Sequence, residues 1–359
     1  ALATNERQAS HQAHHITLVE RPHGPKKGGG ISRPLGHPGT SEWLLKAVQN
    51  HGEQHPYRIA LESEGLCLKY GKLWDTIKHI AKYLESSCER STKIAILTED
   101  TAQAILLTLA CWAAKKIPFQ LACKDPSEWH NEQLKQSSCR WVLGNSLGSK
   151  DQIMIEFEKT TVTLTRTSGP ESSRAGTNKE EDSLCIGYLL TTSGSTGSPK
   201  IVAISHDNLH HYVEALLERI QLPNGEDECL TFGVATPLSS DLAYTSIFPA
   251  LYLGHSLHCL SYAEARDGEL CSQRLAKHPV DFLKIVPSHL SALLSSGLDA
   301  KLLPKRYLVF GGDFLPRQLY REIRAISPSL RIFNHYGPSE ATVGVCAIEL
   351  TDSVMEDSL

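Results

Sequence analysis

Short apolar strands alternate with helical stretches along the second half of the chain, and few folds accept that rhythm. Strands are expected at 186–190, 201–204, 229–234, 257–260, 282–286, 307–310 and 331–333. Helices are expected near 242–253, 268–277, 288–295 and 316–325, and over the face carrying Leu209, Val213, Leu216, Leu217 and Ile220. Such alternation implies an α/β fold of mainly parallel sheets flanked by helices. Ligands of such sheets bind outside the carboxyl ends of the strands. The distinctive segments 191–200, 236–241, 311–313 and 335–340 each follow an expected strand, so they should converge on one edge.

The first half keeps the rhythm more loosely. Strands at 59–62 and 66–70 flank Glu64-Gly65 as a hairpin, and Leu73, Ile77, Ile80 and Leu84 recur at helical spacing. A strand at 93–98, a helix over 102–114, and strands at 117–121 and 141–144 follow. None of these segments carries evident chemistry. Residues 1–40, rich in His, Gly and Pro without apolar periodicity, are expected to be a linker or mobile extension. A polar stretch at 167–182 divides the remainder into 41–182 and 183–359, two α/β halves.

Composition narrows the function. The 359 residues hold 36 Lys plus Arg against 40 Asp plus Glu, a net charge of −4, with no one-sign tail. Nucleic-acid and membrane-surface binders usually carry a basic excess, so neither partner is expected. No apolar run is long enough to span a bilayer. The ten cysteines include no C-x-x-C pair, which argues against a zinc knuckle. Thiols scattered in this way suggest a reducing cytoplasm. The first residue is Ala and no secretory signal is legible, so the chain reads as a piece of a longer protein.

The run Thr191-Thr192-Ser193-Gly194-Ser195-Thr196-Gly197-Ser198-Pro199-Lys200 has the composition of a polyphosphate cradle. Glycines let backbone N–H groups approach anionic oxygen, while hydroxyls and a lysine add donors. It is not a Walker loop, because Pro199 precedes the lysine and Ile201 stands where Ser or Thr is required.

This run resembles the phosphate-loop signature of the adenylate-forming superfamily, which includes acyl-CoA synthetases, luciferases and adenylation domains of nonribosomal peptide synthetases. Tyr336-Gly337-Pro338-Ser339-Glu340 is similar to a second signature, Gly311-Gly312-Asp313 to the adenine-side Gly-Gly-Glu, and Leu68-Lys69-Tyr70-Gly71-Lys72-Leu73 to an early motif. The resemblance covers roughly residues 41–350 and implies the N-terminal subdomain of the adenylate-forming fold. Departures are mild. Asp313 replaces Glu, Ser339 replaces Thr, Ile201 replaces Gly, and Ala113-Ala114-Lys115-Lys116 stands for Lys-Ala-Gly-Gly.

The resemblance implies roles. Lys200, Thr192 and Glu340 would be catalytic, with Lys200 and the hydroxyls of Thr192, Ser193, Ser195 and Thr196 holding the β- and γ-phosphates of ATP. Gly194 and Gly197 would shape that loop. Glu340 would ligate Mg²⁺. Tyr336 would stack on adenine, Asn334 would bond its edge, and Gly311, Gly312, Asp313, Gly337 and Ser339 would complete the nucleotide site. The substrate wall would be Asp241, Leu242, Thr245, Lys284, Val309, Gly311, His335, Val343 and Gly344, a pattern resembling aspartate-activating domains. Asp241 would pair with the α-ammonium. Lys284, in an apolar strand, needs an anion that a β-carboxylate supplies. His335 would add a hydrogen bond or, protonated, a second charge.

The family's C-terminal subdomain, with its catalytic lysine, does not follow Glu340 in this chain and is an expected partner. A peptidyl carrier protein bearing phosphopantetheine is another. The alternatives are an acyl-CoA ligase for a small dicarboxylic acid, which Asp241 argues against, and a silent nucleotide- or partner-binding module.

Overall fold

The computed structural model describes residues 39–144, 152–158, 160–167, 185–192, 200–295 and 300–357, all within one compact unit. The extension 1–38, most of the polar stretch 167–182, and Ser193, Gly194, Ser195, Thr196 and Gly197 lie outside the described residues.

Two sheets carry the fold. The larger contains β1 (Ile59–Glu62), β2 (Cys67–Lys69), β10 (Thr231–Val234), β11 (Ser256–Cys259), β12 (Phe282–Ile285), β13 (Tyr307–Phe310), β14 (Arg331–Tyr336) and β15 (Cys346–Glu349), ordered β15-β14-β13-β12-β10-β11-β1-β2. It is parallel from β14 to β1, with antiparallel strands at both edges. The second contains β3 (Lys93–Leu97), β4 (Ile117–Gln120), β5 (Trp141–Gly144), β6 (Gln152–Phe157), β7 (Thr160–Arg166), β8 (Ile186–Thr192) and β9 (Lys200–Ser205), ordered β6-β7-β5-β3-β4-β8-β9. This sheet is mixed rather than mainly parallel, because the β6–β7 hairpin and β9 join it antiparallel. The β6–β7 hairpin was less legible, since many of its residues are exposed or only half-buried.

The division at residue 182 does not follow the sheets. The β1–β2 hairpin joins the larger sheet through β11, while β8 and β9 complete the smaller one. Helices α1 (Glu42–Gln54), α2 (Tyr70–Ser87) and α3 (Thr101–Ala113) fill the space between, α2 packing on β1 and β2 and α3 on β3 and β4. One apolar cluster joins them. Asp100 starts α3 by accepting from the backbone N–H groups of Ala102 and Gln103 (2.8 and 3.1 Å), a cap worth about 1 kcal/mol. The indole N–H of buried Trp112 then donates to the carbonyl of Gly187 (2.6 Å), tying α3 to β8.

Beyond these lie α4 (Ser127–Ser137), α5 (His206–Ile220), α6 (Tyr244–Leu253), α7 (Gly268–Lys277), α8 (Pro287–Leu294), α9 (Arg317–Ile326) and α10 (Asp352–Asp357). Ser205 caps α5 by accepting from the N–H of Asn208 (3.2 Å), so the strand after the Ser/Gly-rich loop turns directly into helix. No helix among the described residues is long and apolar enough to cross a membrane.

Candidate adenylate-forming site

Four adjacent parallel strands, β10, β12, β13 and β14, release their chains at one edge of the larger sheet. The expected segments follow them there: 236–241 after β10, Gly311-Gly312-Asp313 after β13, and Tyr336 to Glu340 at the end of β14. The second sheet delivers Thr192 and Lys200, which face each other as register partners at the ends of β8 and β9. The short 3-10 turn Ser339–Ala341 lies against β9, so Glu340 and the strand of Lys200 meet.

Lys284 and Val309 are register partners on β12 and β13, both buried. The ammonium of Lys284, 2% exposed, donates to the carbonyl oxygen of Phe310 (3.0 Å) and to Nδ1 of His335 (3.2 Å). An ammonium has three donors and no acceptor, so one N–H stays uncommitted to these two groups. Burial pushes Lys284 down to about 7, with Asp241 pulling it back up.

Of the two roles expected for His335, a hydrogen bond or a second charge, its surroundings favour the first. Burial, reinforced by the adjacent Lys284, holds it down to about 3, so it is neutral near pH 7. Its Nδ1 accepts from Lys284, which leaves the proton on Nε2. That N–H donates to the hydroxyl of Tyr212 (3.1 Å), which in turn bonds Thr245 Oγ1 (2.9 Å). Tyr212 is buried on α5 and meets the imidazole edge-on, with ring centroids 5.8 Å apart. Tyr212 is absent from the wall read off the sequence. Its spacing from Leu209, Val213 and Leu216 marks it as core, and nothing local shows that its hydroxyl reaches β14.

Asp241 opens the 3-10 turn Asp241–Ala243, which packs against β12. Burial raises its carboxyl above the usual range and Glu340 adds to the rise. The Ser339 hydroxyl and the charge of Lys284 oppose it. Its Oδ2 is buried and has no hydrogen-bond partner among the described residues. A buried carboxylate oxygen left unpaired is costly, so this arrangement calls for an added donor.

Two glycines make room for these side chains. A Cβ at Gly311 would run into the ammonium of Lys284 and the carbonyl oxygen of His335, and one at Gly344 into the His335 ring. Leu242 is half-buried and touches the space over Gly312, while Val343 is buried beside Gly344. On the outer side, Tyr336 (68% exposed), Asp313 and Glu340 are exposed, and Asn334 and Ser339 are half-buried. A cleft of about 700 Å³ between α5 and residues 340–347 has Tyr212, His335, Glu340 and Gly344 on its walls.

The family of AMP-binding enzymes matches residues 48–358. The D-alanine–D-alanyl carrier protein ligase of Bacillus velezensis is 28% identical over 88% of this chain and 62% of its own length. The chain therefore spans less than two thirds of that relative. Surfactin synthase subunit 2 of Bacillus subtilis is 25% identical over 86% of this chain and 8% of its own. Among solved structures, holo-PA1221, an NRPS protein containing adenylation and PCP domains, superposes with a TM-score of 0.71 at 24% identity. That match covers 88% of this chain and 53% of the other. The N-terminal subdomain of Klebsiella oxytoca NpsA gives 0.68 at 17% identity, over 86% and 76% of the two chains. At these identities the superpositions establish the fold, that of the N-terminal part of adenylate-forming enzymes.

Proposed function

The chain belongs to the AMP-binding enzyme family, and from that membership we propose that it activates L-aspartate as its adenylate. Pyrophosphate is released, and the aminoacyl group passes to the phosphopantetheine thiol of a peptidyl carrier protein in nonribosomal peptide synthesis. The observation that carries the substrate is one pocket holding two buried charges of opposite sign. Asp241 Oδ2 lacks a partner among the described residues and suits an α-ammonium, while Lys284 keeps one N–H for a side-chain carboxylate. A neutral amide in place of that carboxylate leaves the ammonium of Lys284 uncompensated, so asparagine is rejected.

In the proposed reaction, an oxygen of the substrate α-carboxylate bonds to the α-phosphorus of ATP as the bond to the pyrophosphate oxygen breaks. Such chemistry is governed by positioning and charge neutralisation. Lys200 and Thr192, together with Ser193, Gly194, Ser195, Thr196 and Gly197, hold the leaving phosphates. Tyr336 offers an exposed ring face to adenine, with Asn334, Gly311, Gly312, Asp313, Gly337 and Ser339 around it. Glu340 is an exposed carboxylate beside the strand of Lys200, a donor that fits Mg²⁺, which would neutralise phosphate charge there. The remaining wall is Leu242, Thr245, Val309, Gly311, His335, Val343 and Gly344. The C-terminal subdomain of such enzymes completes the site, and the cytoplasm is the compartment that supplies ATP and keeps thiols reduced.

Amino-acid-dependent ATP–pyrophosphate exchange by the full-length protein tests this reading. Exchange is expected with aspartate and not with asparagine, glutamate or succinate. Activity with succinate would favour a dicarboxylic-acid ligase, and activity with another amino acid would remove the Lys284 argument. No exchange with any acid would leave a silent nucleotide-binding module.

A further inference from the structure

Apart from the residues assigned to that site, β1, β11 and the end of α7 bring three ligating side chains together. Glu62 ends β1 and faces His258 in parallel register on β11, so both side chains leave the same sheet face. His278 follows directly on α7, and its ring stacks on that of His258 with centroids 5.0 Å apart and planes 10° apart.

The donor atoms have metal-site spacing. Glu62 Oε2 lies 3.3 Å from His258 Nδ1 and 3.5 Å from His278 Nδ1, and all three donors fall within 4.8 Å of one another. A tetrahedral ion with bonds of about 2.0–2.2 Å sets its ligand atoms about 3.3–3.5 Å apart. Two of the three edges already match. The third closes only when His278, whose side chain is 35% exposed, turns out of its stack on His258, because an ion lies in the plane of each ring that binds it. His258 is fully buried and Glu62 is 24% exposed, so the cluster opens toward water on one side. Two imidazoles and a carboxylate are a donor set that suits Zn²⁺ better than Mg²⁺ or Ca²⁺.

We propose that Glu62, His258 and His278 bind one Zn²⁺-class ion, which ties β1 and β11 to the end of α7. The geometry stands independently of the adenylation reading. The charge of Arg274 near His258 opposes that of an incoming ion, although Glu264 lies 3.5 Å from Arg274. On binding, the His258 proton that faces Glu62 moves by exchange with solvent to Nε2, so a neutral ring releases none. Nε2 has no acceptor among the described residues.

Zinc chloride titrated into the full chain by calorimetry, with thermal unfolding in parallel, tests the site. Histidines in residues 1–38 and exposed cysteines can also take zinc, so the variants carry the decision. Wild type should bind one equivalent more than His278→Ala or Glu62→Gln, and zinc should raise its Tm. In both variants that equivalent should weaken at least tenfold and the Tm rise should vanish, with Tm in EDTA unchanged for the part-exposed His278→Ala. Equal stoichiometry and equal Tm response in wild type and both variants would overturn the proposal.

Discussion

Lys284 Nζ stands 3.2 Å from His335 Nδ1, two buried side chains from separate strands joined by one hydrogen bond. Burial lowers the tendency of both to carry charge, and Lys284 lowers that of His335 further. The result is one cation, on Lys284, backed by a neutral imidazole that is itself held by Tyr212.

Removal of that cation should abolish selection for an acidic substrate. Lys284→Ala leaves the substrate carboxylate buried without a partner, a loss of about 3–5 kcal/mol. Exchange with aspartate should fall at least 100-fold, while the Kd for ATP, read by calorimetry, should change less than threefold. A comparable loss of ATP binding would mean that Lys284 supports the fold rather than the substrate.

The charge on Lys284 should also be visible in pH profiles. Its folded value near 7 means that the free pocket loses the ammonium as pH rises through neutrality. The kcat/KM for aspartate, which reports the free enzyme, should therefore decline above about pH 7. Lys284→Arg keeps its charge throughout, and its profile should lack that descending limb. A limb of the same midpoint in both proteins would assign it to another group.

Tyr212 should act as a positioning residue. Tyr212→Phe removes the hydroxyl that joins His335 Nε2 to Thr245 while preserving the ring packing. With a net cost of about 1–2 kcal/mol, KM for aspartate should rise roughly 5- to 30-fold and kcat should hold. Loss of kcat with KM unchanged would contradict the assignment.

Gly311 should not tolerate even one methyl group. In Gly311→Ala the new Cβ meets Lys284 and the His335 carbonyl, so one of them must move. Urea unfolding should show a loss of about 1–3 kcal/mol, with aspartate-dependent exchange reduced more than the stability change explains. Wild-type exchange in this variant would mean that the pocket relaxes freely.

Acid should unfold the chain through its buried histidines. His206 and His255 are pushed down to about 4, and His335 to about 3, all by burial. Below pH 6.5 the unfolded chain protonates these rings and the native chain does not, so stability is present above 6.5 and declines toward pH 4. Each ring contributes a slope of about 1.4 kcal/mol per pH unit. His335→Gln should unfold with a measurably shallower acid dependence in urea titrations at pH 4.5–6.5.

The strand–helix order from residue 186 onward was legible because it is written locally, in apolar periods of two and 3.6 with turn residues between them. So was the placement of 236–241, 311–313 and 335–340 at strand ends. The β6–β7 hairpin and α4 were missed because their burial is partial and their periodicity weak. The wall residues were read through resemblance, which left His335 either a hydrogen bond or a charge. A histidine's protonation depends on burial and on neighbours, and here the charged neighbour lies 51 residues away in sequence.

By itself, the sequence determined an α/β chain of the AMP-binding family, with a Ser/Gly-rich loop at one strand end and a lysine in an apolar strand. Those features follow from residue type and spacing, which act over a few residues. Tertiary structure alone decided that β1 and β2 cross to the far sheet, that Tyr212 reaches His335 across 123 residues, and that Glu62, His258 and His278 share a corner. Such meetings depend on which helix fills the space between two sheets. Close packing of the whole core sets that outcome, and no short window of residues contains it.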